Sequence, residues 1–348
     1  MPVYIGVDFH PHQQTVCWCD PDTGEIKTRN LFHQSADLKQ FYQQMPPAIV
    51  GIEASTNAPW FEALLADTGH ELRVGNPALI RAKATARHKS DKRDAELIFD
   101  LLRTAEFPTL WRRDRASSQV LDILKLRLSF VSQRTQLYNR LQALGHSFGL
   151  PKSPMKTQAM QTALKECPAS EAQALQRTQL FTALDDLNAR IEELETWLQQ
   201  QATTNAQVQR LQTQVGVGYL TALAVVHGVG DVRRFTKVSK QVAAFVGLEP
   251  LEKSSSTKVK FGGISKKGSW IVRYLLGQAG NIAARYDPTL KSFSKRLGKK
   301  KPKAVVKTAV ARKLVVKLAI MMRDNINAAE FDRRGRTGGN ARRVPGLQ

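Results

Sequence analysis

The sequence predicts a mixed α/β N-terminal part, a central helical hairpin and a mainly α-helical C-terminal part. Residues 1 to 110 alternate short apolar runs with segments of helical spacing, whereas residues 117 to 147 and 170 to 203 have helical periodicity throughout. Residues 206 to 330 combine glycine-bounded apolar segments with one long apolar helix at 304 to 323. We therefore predict domains at 1–115, 116–205 and 206–332, followed by a basic, disordered tail at 333–348.

The N-terminal elements are predicted in the order β-β-β-α-β-α-β-α. The strands are expected at 4–7, 15–19, 27–32, 48–52 and 71–74, and the helices at 35–45, 58–68 and 77–86. The second and third strands flank a turn segment, Asp20 to Gly24, and so predict a hairpin. In an open sheet of this order, the first and fourth strands are expected to be neighbours.

The central part has an apolar seam of the coiled-coil type. Its members recur at alternating intervals of four and three: Leu180, Leu184, Leu187, Ile191, Leu194 and Leu198. Residues 150 to 168 contain three prolines and are predicted as the loop that joins two helices. The seam is compatible with a dimerising coiled coil and with a hairpin inside one chain, and the pattern leaves both open.

The charge is distributed unevenly along the chain. The 52 Lys and Arg residues exceed the 30 Asp and Glu residues and give a formal charge of +22. Residues 206 to 348 hold 29 basic and 7 acidic residues, whereas residues 1 to 110 hold 11 and 14. Basic charge confined to one part of a chain is typical of a polyanion-binding surface, so we predict a nucleic-acid partner in preference to a merely solubilising surface.

The composition excludes several other classes of protein. With 42% hydrophobic and 24% charged residues the chain has a soluble globular composition. Three cysteines without paired spacing favour a reducing compartment and argue against a structural zinc site. There is no apolar run of about 18 residues. We therefore expect a cytoplasmic protein with no membrane partner.

Four carboxylates have the spacing of a metal site. Asp8 ends the first strand and Glu53 follows the fourth, so both are expected at one end of the sheet, and Asp91 and Asp94 share one face of any helix there. Clustered carboxylates repel one another unless divalent cations lie between them, and oxygen ligands suit Mg²⁺ or Mn²⁺. The alternative is local pairing with neighbouring lysines and arginines, but the joint pattern favours the metal site.

Three histidines lie close in sequence to these acids. We interpret His10, His12 and His88 as neighbouring or surface groups rather than direct ligands.

Residues 250 to 268 combine hydroxyl groups, cations, glycines and Phe261. Serine is a weak nucleophile unless a base, a metal ion or a positive field stabilises its alkoxide. The Gly-x-Ser-x-Gly motif of esterases does not occur in the sequence. Spacing alone favours a phosphate-binding loop over a catalytic serine.

Seven short motifs occur in the order that is found in one family of enzymes. They are Gly6-Val7-Asp8, Ile52-Glu53-Ala54-Ser55, Asn76-Pro77-Ala78, Asp91-Lys92-Arg93-Asp94-Ala95, Gly216-Val217-Gly218, Phe245-Val246-Gly247-Leu248-Glu249-Pro250 and Gly263-Ile264-Ser265-Lys266-Lys267-Gly268. Together they resemble the Asp-Glu-Asp-Asp insertion-sequence transposases, which include pilin-gene invertases. The resemblance covers residues 4 to 325 approximately.

The resemblance implies a RuvC-like domain with an RNase H-like fold, in which Asp8, Glu53, Asp91 and Asp94 bind Mg²⁺, with Mn²⁺ as the alternative ion. It also implies a serine nucleophile five residues after the proline of the Gly-Leu-Glu-Pro motif, which is Ser255. Relatives usually have glycine after the nucleophile, whereas this chain has Ser256, so the choice among Ser254, Ser255 and Ser256 stays open.

The resemblance further implies how the enzyme works. The serine would attack a DNA phosphate, form a covalent phosphoserine link and transfer the strand without net hydrolysis. Donor and target DNA would be selected by a noncoding guide RNA, and homodimers would assemble into nucleoid-associated tetramers with composite sites. The lysines expected to contact nucleic acid are Lys253, Lys258, Lys260, Lys266, Lys267, Lys299, Lys300 and Lys301.

Two other functions are compatible with the same residues. One is a RuvC-like endonuclease that hydrolyses branched DNA with the four acids and uses the C-terminal part only for binding. The other is a non-enzymatic nucleic-acid scaffold in which the acids balance local lysines.

Overall fold

A computed structural model describes residues 3–54, 59–84, 90–252 and 261–337. The chain divides into two compact units, an N-terminal unit of residues 1–112 and a C-terminal unit of residues 113–348. Within the described ranges, no helix has both the length and the apolar character that crossing a bilayer requires. The predicted mixed α/β N-terminal part and mainly helical C-terminal part are confirmed, whereas the finer division into domains stays a prediction.

The N-terminal unit is built on a five-stranded sheet with the strand order β3-β2-β1-β4-β5. β1 pairs in parallel with β4 and antiparallel with β2, so the expected neighbourhood of the first and fourth strands is confirmed. The elements of this unit are β1 Val3–Phe9, β2 Gln13–Cys19, β3 Ile26–Phe32, α1 Ala36–Gln44, β4 Ala48–Glu53, α2 Pro59–Asp67, β5 Glu71–Gly75, α3 Pro77–Ala82 and α4 Asp91–Arg103.

One face of the sheet is covered by α1 and α2. The β-branched residues Ile5, Val7 and Val50 of the central strands are fully buried. Ile5, Val7 and Val50 belong to one cluster with Phe41 of α1 and Phe61 of α2. Burial of this apolar surface is the main stabilising contribution to the unit, because each such side chain contributes roughly 1.5–3 kcal/mol.

Two glycines on the opposite face allow α4 to approach the sheet. Gly6 of β1 and Gly51 of β4 are paired in register. A Cβ atom on Gly6 would lie 2.3 Å from the carbonyl oxygen of Ala95 and 2.3 Å from the amide nitrogen of Phe99. The backbone of α4 therefore lies directly against the backbone of β1, at a distance that only glycine permits.

The C-terminal unit begins with two long helices that pack antiparallel. Arg127 of α5 bonds to Glu195 of α7 through Nε at 2.8 Å, and Arg134 bonds to Asn188 at 3.1 Å. The helical hairpin therefore forms inside one chain. The elements of this unit are α5 Arg115–Ser147, α6 Gln158–Glu166, α7 Glu171–Thr204, α8 Ala206–Gln212, α9 Tyr219–Val229, a 3-10 turn Val232–Arg234, α10 Val238–Phe245, β6 Pro250–Glu252, β7 Phe261–Ile264, α11 Trp270–Tyr286, α12 Pro288–Gly298, α13 Lys303–Asp324 and α14 Ala328–Thr337.

Four segments differ from the sequence prediction. The helix expected at 77–86 ends at Ala82, and the predicted element order lacks α4, the helix that carries Asp91 and Asp94. Residues 150 to 168 were expected to be loop, but α6 forms there because Met160 and Leu164 pack into a cluster with the hairpin helices. The basic tail was expected to be disordered from residue 333, but α14 continues to Thr337. In the last two segments a short amphipathic helix forms inside a polar or proline-containing stretch.

A buried carboxylate stabilises the C-terminal unit. Asp287 caps α12 by accepting the Leu290 amide at 2.9 Å, and it also accepts a hydrogen bond from Gln214 at 2.9 Å. Lys317 of α13 lies 3.7 Å away and also pairs with Asp332 at 2.7 Å. Burial by itself raises the pKa of Asp287, but the Leu290 amide, Gln214 and Lys317 outweigh it and hold the pKa below the ordinary value of 3.8.

We expect Asp287→Ala to lower the free energy of unfolding by about 3 kcal/mol at neutral pH, because Lys317 loses one of its partners and α12 loses its cap. A depressed carboxylate pKa stabilises the fold above the unfolded pKa, and this stabilisation is lost as pH falls through the folded pKa. In urea unfolding, the difference in unfolding free energy between wild type and Asp287→Ala should therefore be constant above about pH 4 and shrink below it. Asp185→Ala, at an exposed position of α7, is the matched control; equal stability of the two variants at neutral pH would contradict the prediction.

Candidate active site

Asp8 and Glu53 lie side by side at one edge of the N-terminal sheet. The last residues paired between the parallel strands are Val7 and Ile52, and the two acids directly follow them. Side chains alternate along a strand, so Asp8 shares the face of Gly6, on which α4 packs. The predicted common sheet end of Asp8 and Glu53 is therefore confirmed.

The other two acids lie in the first turn of α4. This helix begins at Asp91, with Ser90 as its N-cap, and Asp91 and Asp94 lie one turn apart. The first turn carries the positive end of the helix dipole, which stabilises carboxylates there. Because α4 lies against β1 at Gly6, its first turn reaches the end of the strand that carries Asp8.

Three side chains form the described cluster. The Nε2 atom of His10 lies 3.0 Å from Oδ2 of Asp8 and 3.7 Å from Oδ1 of Asp91. One potential ligand atom from each of Asp8, His10 and Asp91 lies within 4.8 Å of the other two. Two oxygens and one nitrogen at this spacing can coordinate a single cation.

Burial and neighbouring carboxylates raise the pKa of Asp8 above its ordinary value. Burial is the largest cause that raises the pKa of Asp8, and the carboxylates of Asp94 and Asp91 raise it further. His10 opposes this rise through its charge and its hydrogen bond, but the net pKa remains above the ordinary value. A divalent cation would offset the same repulsion, so the residues present fit such an ion.

Glu53 has a different neighbour. Its Oε1 atom lies 3.8 Å from Nη2 of Arg81, at the end of α3. The structure thus brings Asp8, Asp91 and Asp94 into electrostatic contact, while Glu53 lies at the same sheet edge and pairs with a guanidinium. The sequence predicts His10 as a neighbouring group rather than a ligand, whereas the structure places a potential ligand atom of His10 in the cluster. Its position two residues after Asp8, beyond the end of β1, is the signal that it can turn back toward the acids. His12 is exposed and His88 lies outside the described residues.

The predicted serine loop lies mostly outside the described residues. Ser254, Ser255 and Ser256, together with Lys253, Lys258 and Lys260, belong to the segment 253–260, for which no conformation is described. The segments on either side are defined, because β6 and β7 pair antiparallel as a short hairpin. The five remaining predicted lysines are all exposed, as phosphate contacts require: Lys266, Lys267, Lys299, Lys300 and Lys301.

The base of this hairpin is fixed by main-chain contacts. Gly247 and Gly268 have φ angles of 73° and 74°, which disfavour other residues. A Cβ atom on Gly247 would lie 2.1 Å from the Lys267 carbonyl oxygen. Arg273 of α11 donates hydrogen bonds to three carbonyls in this region, including that of Lys267 at 2.7 Å. These contacts hold together the residues before β6 and after β7.

Two transposase family profiles match the N-terminal and C-terminal parts of the chain. Residues 5–145 match the profile of the DEDD transposase domain of the IS110 type, a domain that implies the use of a divalent metal. Residues 208–295 match the profile described as transposase of the IS116/IS110/IS902 family. The first match includes all four predicted acids, and the second includes the serine loop.

The sequence similarity to known transposases extends over most of both chains. The transposase for insertion sequence element IS1111A of Coxiella burnetii is 34% identical over 291 residues, which are 81% of this chain and 78% of that protein. A probable family 20 transposase of Pseudomonas aeruginosa is 29% identical over 318 residues, or 88% and 89% of the two chains. The transposase for IS1328 of Yersinia enterocolitica is 26% identical over 285 residues, or 80% and 83%. The chain therefore belongs to the IS116/IS110/IS902 family of transposases, enzymes that cleave and transfer DNA strands.

Proposed function

We propose that this insertion-sequence transposase exchanges DNA strands through a phosphoserine intermediate, with the acidic cluster of an RNase H-like, RuvC-like unit as one half of its active site. The observation that carries the proposal is the convergence of Asp8, His10 and Asp91 within 4.8 Å at the end of β1. The family supports a transposase, and the cluster supports metal-assisted chemistry on a phosphate.

The donor set fits Mg²⁺ or Mn²⁺. Asp8, Asp91 and Asp94 would hold the ion with carboxylate oxygens, the ligands that these hard cations prefer, and Glu53 would complete the set if its carboxylate turned away from Arg81. The imidazole of His10 would add a nitrogen ligand, a donor that suits transition metals better than it suits Mg²⁺. When bound, such an ion neutralises charge that develops on the phosphate in the transition state.

The proposed reaction is a transesterification at a DNA phosphate. Ser255 would supply the attacking oxygen, so that a bond forms between its Oγ and the DNA phosphorus while one ester bond to a deoxyribose oxygen breaks. The serine hydroxyl gives up its proton and the departing deoxyribose oxygen takes up a proton to become a hydroxyl, so the step releases no net proton. Attack by another strand's hydroxyl reverses the step, releases the serine and conserves the number of phosphodiester bonds, with Lys266 and Lys267 near the phosphate.

The proposed partners are donor DNA, target DNA and a noncoding guide RNA. The excess of basic over acidic residues in 206–348, 29 against 7, supports a polyanion surface in the serine-bearing part. A homodimer that assembles into a tetramer would let the acids of one protomer act with the serine of its partner, in a nucleoid-associated complex. RNA of defined length that copurifies with the protein would support the guide.

Substitution of the acids tests the proposal. We expect Asp8→Asn and Asp94→Asn each to lower strand cleavage by about 10³-fold or more, because the cation loses a charged ligand. The substrate is a plasmid that carries the insertion sequence with its flanking noncoding DNA, and titration calorimetry with Mn²⁺ measures cation binding. Asp100→Asn, an exposed acid on α4, is the matched control. Full cleavage by both site variants in Mg²⁺ would overturn the proposal.

A further inference from the structure

A cavity with an aromatic wall lies in the N-terminal unit, on the face of the sheet opposite the acidic cluster. Its volume is about 550 Å³, within the range of about 300–1,000 Å³ that is usual for small-ligand sites. Leu38 and Leu64 form the apolar part of its lining, Trp60 forms a wall, and Lys39, Gln43 and Asp67 supply polar groups. The cavity lies between α1 and α2, and no step of the proposed mechanism uses it.

The Trp60 ring is held in place by other rings. Its centroid lies 4.9 Å from that of His33, 5.9 Å from that of Phe9 and 5.7 Å from that of Phe61. Despite these contacts, Trp60 is 45% exposed. A large aromatic side chain that is fixed on one side and open on the other can stack on a planar ligand with little further loss of conformational entropy.

The sheet topology places this aromatic wall at the same end of the sheet as the acids, where β1 and β3 end. β2 is antiparallel to both β1 and β3, so β1 and β3 run in the same direction and end together. Asp8 precedes Phe9 at the end of β1, and His33 follows the end of β3. Because neighbouring residues of a strand point to opposite faces, Asp8 points toward α4 and Phe9 toward the cavity face.

The lining has the chemistry of a nucleobase site. The exposed indole face of Trp60 and the partly buried Leu64 match the flat apolar surface of a base. The amide of Gln43, the carboxylate of Asp67 and the ammonium of Lys39 can bond to its polar edge. A base paired inside a duplex cannot enter such a cavity, so the ligand has to be unpaired or turned out of the helix. The lining carries one lysine, Lys39, and one carboxylate, Asp67, so it has no excess of positive charge for a phosphate.

We propose that this cavity captures one unpaired nucleobase of the strand that is cut, with Trp60 as the stacking surface. This inference rests on the proposed function only in that it takes the bound strand to be the substrate of the acidic cluster. Capture of a base beside Trp60 would hold the strand near the end of β1, where Phe9 contacts Trp60 and Asp8 is the preceding residue. It would also select distorted or single-stranded DNA over intact duplex.

The test uses local readouts in EDTA, so that no cleavage occurs. The probes are a short single-stranded oligothymidylate with one 2-aminopurine and the same strand with one 5-iodouracil. We expect wild-type protein to quench 2-aminopurine and to form a photocrosslink that mass spectrometry maps to the peptide containing Trp60. Trp60→Ala should lose the quenching and lower the crosslink yield by about tenfold or more, since base stacking contributes at least that factor. Trp60→Phe should retain most of both.

Trp270→Ala is the matched control, because Trp270 is 50% exposed but belongs to the basic C-terminal unit. Circular dichroism establishes that each variant is folded. Unchanged quenching in folded Trp60→Ala, or a crosslink that maps to Trp270 and not to Trp60, would overturn the inference. Failure of the acid substitutions to affect cleavage would instead overturn the proposed function and leave the base-capture result intact.

Discussion

Replacing Ser255 by alanine is expected to abolish both strand exchange and the covalent protein–DNA adduct. Loss of a catalytic nucleophile lowers turnover by about 10⁴-fold or more in enzymes that form covalent intermediates. The adduct is measured by gel electrophoresis of denatured protein with end-labelled DNA from the insertion sequence. Strand exchange is measured by amplification across the recombinant junction.

Single substitutions of the neighbouring serines serve as matched controls. Ser254→Ala and Ser256→Ala are expected to retain the adduct, because neither hydroxyl is the proposed nucleophile. If Ser256→Ala loses the adduct while Ser255→Ala keeps it, the assignment within the loop is wrong by one residue. If Ser255→Ala still nicks the DNA while Asp94→Ala does not, the reaction is metal-dependent hydrolysis and the phosphoserine proposal fails.

Among glycine-to-alanine substitutions in the described part of the N-terminal unit, Gly6→Ala is expected to lower stability the most. The added Cβ would lie 2.3 Å from two backbone atoms of α4, and backbone atoms cannot rotate away as a side chain can. We expect the free energy of unfolding to fall by about 3 kcal/mol, since overpacking of this kind displaces whole elements. Displacement of α4 would also carry Asp91 and Asp94 away from Asp8 and abolish cleavage.

Alanine substitutions at two other glycines serve as comparisons for Gly6→Ala. Gly51→Ala should be milder, because its Cβ would meet the terminal atoms of Leu102 and Ile98, at 2.8 and 3.0 Å, and these side chains can adjust. Gly298→Ala, at the end of α12, meets no atom within 4 Å and should leave stability and cleavage nearly unchanged. Urea unfolding ranks the three variants by stability, and plasmid cleavage ranks them by activity; Gly6→Ala should be lowest in both. Wild-type cleavage by Gly6→Ala would show that the position of α4 is not critical for the site.

The placement of the carboxylates could be predicted from the sequence because it depends on periodic patterns. The alternation of strands and helices predicts that β1 and β4 are neighbours, and this places Asp8 and Glu53 at one end of the sheet, as observed. The spacing of Asp91 and Asp94 required only that their segment be helical, which α4 confirms.

The details of the site depend on contacts that no periodic pattern encodes. His10 reaches Asp8 and Asp91 because the chain turns just after β1, where the His10 amide bonds to the Gln13 carbonyl at 3.0 Å. The ion pair of Glu53 with Arg81 depends on where α3 packs, not on sequence spacing. Likewise, α6 forms in a segment with prolines at both ends because its apolar face packs against the helical hairpin.

The close contact of α4 with β1 has a consequence for how this site can be modified. Backbone contact at Gly6 limits how closely the helix-borne acids can approach the strand-borne acid, so larger residues at position 6 would force them apart. His10 is different, because it follows the strand and belongs to a turn. Selection for a different metal ion, in nature or in the laboratory, is therefore expected to act on residue 10, whereas the residues that fix α4 tolerate little change.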